Sequence, residues 1–211
     1  MEYAIDSRAD GPRFRTKDFT QRVGPLAGEH RDDGADEVAY VLEGNGRVSI
    51  GGEEHDLRPG FALFVARGTA WSAEGDARGV SVLVHEPEAS SGHAVLDLRA
   101  NEHGTATAGR EFVLGATPEC GCVSVTQFVG LIPPGRAPLH SHTYDEVVYV
   151  IDGEGVLHLG DEDAPLLPGT CVHLPPLQEH CLENTGPTPM RVLGVFHPSG
   201  SPASKAYEAN E

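Results

Sequence analysis

An eleven-residue segment occurs twice in this chain of 211 residues. Asp36-Glu-Val-Ala-Tyr-Val-Leu-Glu-Gly-Asn-Gly46 and Asp145-Glu-Val-Val-Tyr-Val-Ile-Asp-Gly-Glu-Gly155 agree at seven of eleven positions, at a numbering offset of 109. The same offset carries Pro59-Gly60 onto Pro168-Gly169 without a gap. Further on, Val84-His85-Glu86-Pro87 resembles Phe196-His197-Pro198, with the histidines 112 apart, which implies a loop about three residues longer in the second copy. A repeat of this length means one structural unit used twice. The expected domains are residues 1–90 and residues 91–211.

Each copy reads as a run of short strands. In the second they are expected at 122–131, 139–142, 146–151, 155–159, 164–167, 170–174, 179–183 and 190–196, rich in Val, Leu and Thr and separated by Gly, Pro, Asp or Asn. Glu43-Gly44 and Asp152-Gly153 read as tight turns in which glycine supplies a positive φ. The 26 Gly and 16 Pro suit many turns, and no segment holds a helical period beyond a turn or two. The fold class is all-β: two small antiparallel barrels or sandwiches. Residues 86–110 read as a partly strand-forming linker. The ends, 1–12 and 199–211, read as loose or as strands borrowed between halves.

A formal charge of −17 repels phosphate backbones and anionic membranes, so neither nucleic acid nor membrane is an expected partner. No apolar run approaches the ~18 residues of a membrane span. The first residues lack a basic and an apolar signal region, and four cysteines suit a reduced, cytoplasmic setting. Cys120-x-Cys122 lacks the spacing of a zinc knuckle and reads as structural.

The chemistry concentrates in the second copy. His140 and His142 alternate onto one face of an extended segment behind Pro133-Pro134-Gly135, Glu146 opens the next strand, and His180 returns much later in the chain. Three imidazoles and a carboxylate buried together without a partner would be costly. Around a divalent metal they are ligands. Val148 and Val150 share the parity of Glu146, and Leu182 that of His180, so these three line the cavity with apolar surface. Tyr144, Gln127, Arg136, Arg191 and Phe196 are further candidates for its wall or rim. His173 reads as a pocket, solvated or ligand-supporting residue. Cys181 faces away from His180.

These residues resemble the cupin superfamily, and the repeat makes the chain similar to a small bicupin. The family's first motif, Gly-x5-His-x-His-x3or4-Glu-x6-Gly, is matched by Gly135, His140, His142, Glu146 and Gly153, with four residues instead of five before His140. Its second motif, Gly-x5-Pro-x-Gly-x2-His-x3-Asn, is matched by Gly169, Pro175, His180 and Asn184. Leu177 stands where the family has glycine, a departure expected to widen or re-aim the turn before His180. The resemblance implies two double-stranded β-helix (jelly-roll) barrels in tandem and the ligand set His140, His142, Glu146 and His180.

At the same offset, Arg31, Asp33, Glu37 and Trp71 occupy the four ligand positions of the first copy. Arginine has no lone pair to give, nor has an indole. Two readings stand: Arg31 pairs with Asp33 or Glu37 while Trp71 fills the cavity, or these residues form a second ligand pocket. His30 rejoins the site only if the register slips by one.

Three His and one Glu leave two open positions on a six-coordinate ion, enough for a bidentate oxygen ligand or for substrate beside O2. The expectation is one divalent metal per chain, Fe, Mn, Ni, Co or Zn, and a metal-dependent enzyme acting on a small oxygen-chelating metabolite. Dioxygenase or other oxidoreductase chemistry is the first reading. A non-redox isomerase, cyclase or decarboxylase is the alternative, and a sugar- or metabolite-binding module the third. Glu146 is the candidate catalytic residue, as ligand alone or also as base. The expected partner is a small substrate, with the chain a monomer or homodimer.

Overall fold

A computed structural model describes residues 4–6 (backbone only), 10–85, 87 and 89–203. Glu86 of the third repeated segment, and residues 1–3, 7–9 and 204–211 of the two ends, lie outside the described residues. The described chain is built almost wholly from antiparallel strands, and none of its helices is long and apolar enough to cross a membrane.

The chain forms two compact units. The first takes the described residues between 10 and 101, together with 115–127; the second takes 4–6, 102–114 and 128–203. Where the repeat suggests one boundary between residues 90 and 91, the chain therefore passes between units several times.

The first unit has a six-stranded sheet in the order His93–Asp97, Phe61–Val65, Ala35–Glu43, Arg78–His85, Phe19–Pro25 and Gly11–Arg15. Its four-stranded sheet runs Gly28–His30, Trp71–Gly75, Gly46–Ile50 and Glu53–Leu57. The second unit repeats this plan. Cys171–Leu174, Asp145–Asp152, Met190–His197, Thr126–Ile132 and Glu111–Leu114 follow in the same order, and Gly135–Arg136, Cys181–Asn184, Gly155–Leu159 and Glu162–Leu166 make the smaller sheet. Each unit is a jelly roll.

The repeat is a repeat of core positions. Val41, Val48, Ile50, Leu57, Leu63 and Val65 are buried in the first unit, and their counterparts Val150, Leu157, Leu159, Leu166, Val172 and Leu174 are buried in the second. Alternation along strands sends these residues to the inner face of each sheet. The turn before Arg78–His85 is shorter than the one before Met190–His197, and the strand register puts Val84, opposite Asp36, in the place of His197, opposite Asp145, so the offset here is 113 and His85 is not the counterpart of His197.

The outermost strand of each large sheet comes from outside the repeated core. His93–Asp97 pairs with Phe61–Val65, whereas Ala4–Asp6 pairs with Cys171–Leu174. The N-terminal strand thus belongs to the second jelly roll.

Gly44 and Gly153 make the equivalent turns with φ of +73° and +87°. A Cβ at Gly44 would sit 2.3 Å from the Asp76 carbonyl oxygen, and one at Gly153 would sit 2.8 Å from Met190 Cα. Neither glycine has room for a side chain.

One strand expected from the sequence is absent. Residues 139–142 do not form a strand; only an isolated bridge joins His140 to His180. Pro138 has no amide hydrogen to give a ladder at this point. His140 and His142 are therefore placed by loop contacts, with the Leu177 amide donating to the His142 carbonyl at 2.7 Å.

Candidate metal centre

The His140 amide donates to the His180 carbonyl at 3.0 Å and the His180 amide to the His140 carbonyl at 2.8 Å, so the two side chains leave the backbone side by side. Their ring centroids are 4.5 Å apart, and His142 lies 4.9 Å from His180. Glu146 enters from strand Asp145–Asp152 and meets His142 Nε2 at 2.9 Å. His142, Glu146 and His180 bring one donor atom each within 4.8 Å of one another. His140 stands just outside this tight trio, its ring 6.5 Å from that of His142.

The tautomers are set by the backbone. His140 Nδ1 lies 3.0 Å from the Pro138 carbonyl, His142 Nδ1 2.8 Å from that of Tyr144, and His180 Nδ1 2.8 Å from that of Gln178. A carbonyl only accepts, so in each ring Nδ1 carries the hydrogen, which leaves Nε2 of His140 and His180 with the lone pair. His142 Nε2 faces a carboxylate oxygen of Glu146 at 2.9 Å. Either a proton or a metal ion bridges this contact, and the buried His140 and His180 lone pairs beside it favour the metal. Burial pushes the His180 imidazole down to about 4 and lowers that of His140, against the opposing pull of Glu146. Both rings are thereby kept in the neutral form that binds metal. The donor set fits a divalent transition metal, which His140, His142, Glu146 and His180 would hold.

These groups open on a cavity of about 80 Å³. Ile132, Val148, Leu182, Val192 and Phe196 supply its apolar wall. Tyr144 lies over His142, ring planes 13° apart and centroids at 4.4 Å, and fixes the imidazole from outside. Val150, expected on the wall, lies deeper, packed in the core among Leu157 and Leu166. Gln127 is a correction. It belongs to the first unit, where its side-chain nitrogen donates to the Ala39 carbonyl at 3.1 Å, because residues 115–127 leave the second jelly roll before strand Thr126–Ile132 is complete. Arg191 is exposed and pairs with Asp152, and His173 pairs with Asp145 at 2.6 Å; neither lines the cavity. Arg136 lies outside that cavity, in a neighbouring pocket with Pro134 and Gly135 that shares Arg110 and Ile132 with it.

Arg110 was not legible as a site residue. It sits in the stretch read as linker, yet it lines the cavity, and its charge acts on His140 and Glu146. Nε donates to the Thr107 carbonyl at 3.0 Å and Nη2 to Thr107 Oγ1 at 2.6 Å, which ties the head group in place. Burial lowers it from the usual arginine range while the Glu146 charge works the other way.

Leu177 adopts the left-handed conformation itself, with φ of +64° and 68% of its surface exposed. The turn before His180 keeps the bend a glycine would give, and the leucine carries the strain. Left-handed backbone costs an L-residue roughly 1–2 kcal/mol, against roughly 0.5–1 kcal/mol of extra chain entropy lost by glycine. Leu177→Gly is therefore expected to stabilise the chain by about 0.5–1 kcal/mol with metal content unchanged. Thermal unfolding measures it, and a lower Tm would contradict the assignment.

In the first unit the ligand correspondence shifts. His30, not Arg31, lies opposite Trp71 in the strand ladder, as His140 lies opposite His180. The loop from His30 to Asp36 is one residue longer than that from His140 to Asp145, and this absorbs the slip. His30 stacks on Trp71 with centroids 3.8 Å apart and donates from Nε2 to the Leu26 carbonyl at 3.0 Å. Arg31 and Asp33 pair with each other at 2.8 Å, both exposed and outside the core. Glu37 accepts from Trp71 Nε1 at 3.3 Å and from Ser81 Oγ at 2.6 Å. Neutral donors thus satisfy this carboxylate. In the second unit Gly194 takes the place of Ser81, opposite Val148 as Ser81 is opposite Ala39, and offers Glu146 no hydroxyl.

Comparison with known proteins agrees with this architecture. The family model for the Cupin domain matches residues 19–84 and again 128–196. The oxalate-binding protein of Thermotoga maritima is 36% identical over 67 residues, 31% of this chain and 55% of that protein. The chain spans about half the length of the curated relatives it matches. Among solved structures, protein Ylba from E. coli superposes with a TM-score of 0.75 at 12% identity, covering 92% of this chain and 90% of that one. Oxalate decarboxylase from Bacillus subtilis superposes with a TM-score of 0.69 at 15% identity, covering 87% and 69%.

Proposed function

The chain belongs to the cupin family, with one Cupin domain in each half, and from that premise we propose that the second unit is a metal-dependent active site for a small, carboxylate-bearing, oxygen-chelating metabolite. The observation that carries this reading is that His140, His142, His180, Glu146 and Arg110 line one and the same cavity. A bound divalent metal supplies Lewis acidity and open positions for oxygen ligands.

The chain's own residues do the rest. Three neutral imidazoles contribute no charge and Glu146 and Glu111 one negative charge each, so with a divalent cation and Arg110 the cavity is net positive inside a strongly acidic protein. It therefore draws in an anion that the surface as a whole disfavours. Arg110 grips a carboxylate through paired N–H donors, with Thr107 holding the guanidinium in register. Val148, Leu182 and Phe196 exclude water, which strengthens every charge interaction within. At about 80 Å³ the space lies far below the roughly 300–1,000 Å³ of drug-sized sites, which suits a molecule of a few heavy atoms.

Two chemistries share this site: oxygen-dependent oxidation, and non-redox decarboxylation or isomerisation. Loading the chain with Fe(II) or Mn(II) and offering small keto acids, dicarboxylates and enediols separates them by O2 uptake and CO2 release. Turnover of at least one such compound is the expected result. A second reading, a binding module, draws on the name of the Thermotoga relative. Tight binding with no consumption under either metal would select it over the enzyme.

A further inference from the structure

We propose a second metal site in the first unit, formed by Glu53, His55 and His93, for a borderline divalent cation such as Zn2+, Ni2+ or Cu2+. The three side chains bring one donor atom each within 4.8 Å of one another. Glu53 Oε2 lies 3.5 Å from His55 Nε2 and 3.8 Å from His93 Nε2. Ligands bonded at about 2.0–2.1 Å to a tetrahedral ion stand roughly 3.3 Å apart, so the carboxylate needs to move only a few tenths of an ångström toward each ring.

Two independent features point to a ligand between them. His55 Nε2 is covered from solvent and makes no hydrogen bond among the described residues. A shielded polar atom of this kind is costly unless something completes it. Gly51, with φ of +62°, opens the space for the second ring: a Cβ there would lie 2.7 Å from His93 Cε1. The imidazole lies in a hollow that only glycine leaves.

The placement explains what the cation would do. Glu53 and His55 alternate onto one face of strand Glu53–Leu57, the outermost strand of the four-stranded sheet. His93 opens His93–Asp97, the outermost strand of the six-stranded sheet. A metal here clips together the unprotected edges of the two sheets of one jelly roll. The site is peculiar to the first copy, because the repeat places Glu162 and Ala164 at the positions of Glu53 and His55. Two imidazoles and one carboxylate leave a fourth position for water. The centre is independent of the one built on His180.

Zn2+ titration of the full chain after chelator treatment tests this, with thermal unfolding in parallel. The wild type is expected to take up two equivalents, one more than the single metal per chain expected from the sequence. His93→Ala and His55→Ala should each lose one and keep the other, and Glu53→Gln should weaken that equivalent at least tenfold. In His180→Ala, Zn2+ should still raise Tm, and adding His93→Ala should remove the rise. Far-UV circular dichroism and metal-free Tm establish that each variant is folded. Zn2+ isotherms of His55→Ala and His93→Ala that match wild type would overturn the second site. An isotherm unchanged in His180→Ala alone would instead overturn the centre in the second unit.

Discussion

His180→Ala is expected to abolish tight metal binding at the second unit and, with it, at least a hundredfold of any turnover. The side chain is 1% exposed, its Nδ1 hydrogen is committed to the Gln178 carbonyl, and its Nε2 stands in the tight trio with His142 and Glu146. Substituting residues that merely support a ligand typically costs 10–100-fold in affinity or activity, and removing a ligand costs more. Stability should follow, because a metal at a thousand times its Kd adds about 4 kcal/mol to the folded state and this variant forfeits it. His180→Gln separates lost volume from lost ligation, since it fills most of the space without an imidazole. Elemental analysis and thermal unfolding with and without metal decide the matter. Full retention of metal by both variants at this centre would show that His180 is not a ligand.

Arg110→Ala is expected to leave metal content intact while weakening a small carboxylate ligand by about 10- to 100-fold. A hydrogen bond to a charged group contributes about 1.5–3 kcal/mol, and each 1.4 kcal/mol is a factor of ten in affinity. Arg110→Lys should recover part of the loss, because it keeps the charge and forfeits the planar fork. Calorimetric titration of a short dicarboxylate into metal-loaded protein measures this directly. An unchanged Kd in Arg110→Ala would remove the guanidinium from the site. Since Arg110 also holds Thr107, its variants are compared at matched folded fraction.

The candidate ligand residues were legible because strand alternation and motif spacing are local properties. Glu146, Val148 and Val150 occupy alternate positions whatever the rest of the chain does, and the repeated Gly44 and Gly153 mark the same turn twice. His140 shows the limit of that reasoning. It reaches the site, yet through a bridge to His180 rather than along a strand, because Pro138 interrupts the ladder. His30 shows another limit: a single extra loop residue moved the correspondence from Arg31 to His30, which a gapless offset cannot register.

By itself, then, the sequence determined two jelly rolls with unequal sites, since duplication, alternation and turn chemistry are written in short windows of residues. Only the tertiary structure decided which chain segments complete each unit. Residues 4–6 complete the second sheet, Gln127 turns to the first unit, and Arg110 enters the cavity from an unpatterned stretch. It also brought His93 to Glu53 and His55 across three intervening strands. The physical reason is that edge pairing and loop closure join groups distant in sequence with little dependence on their local pattern, so no period records them.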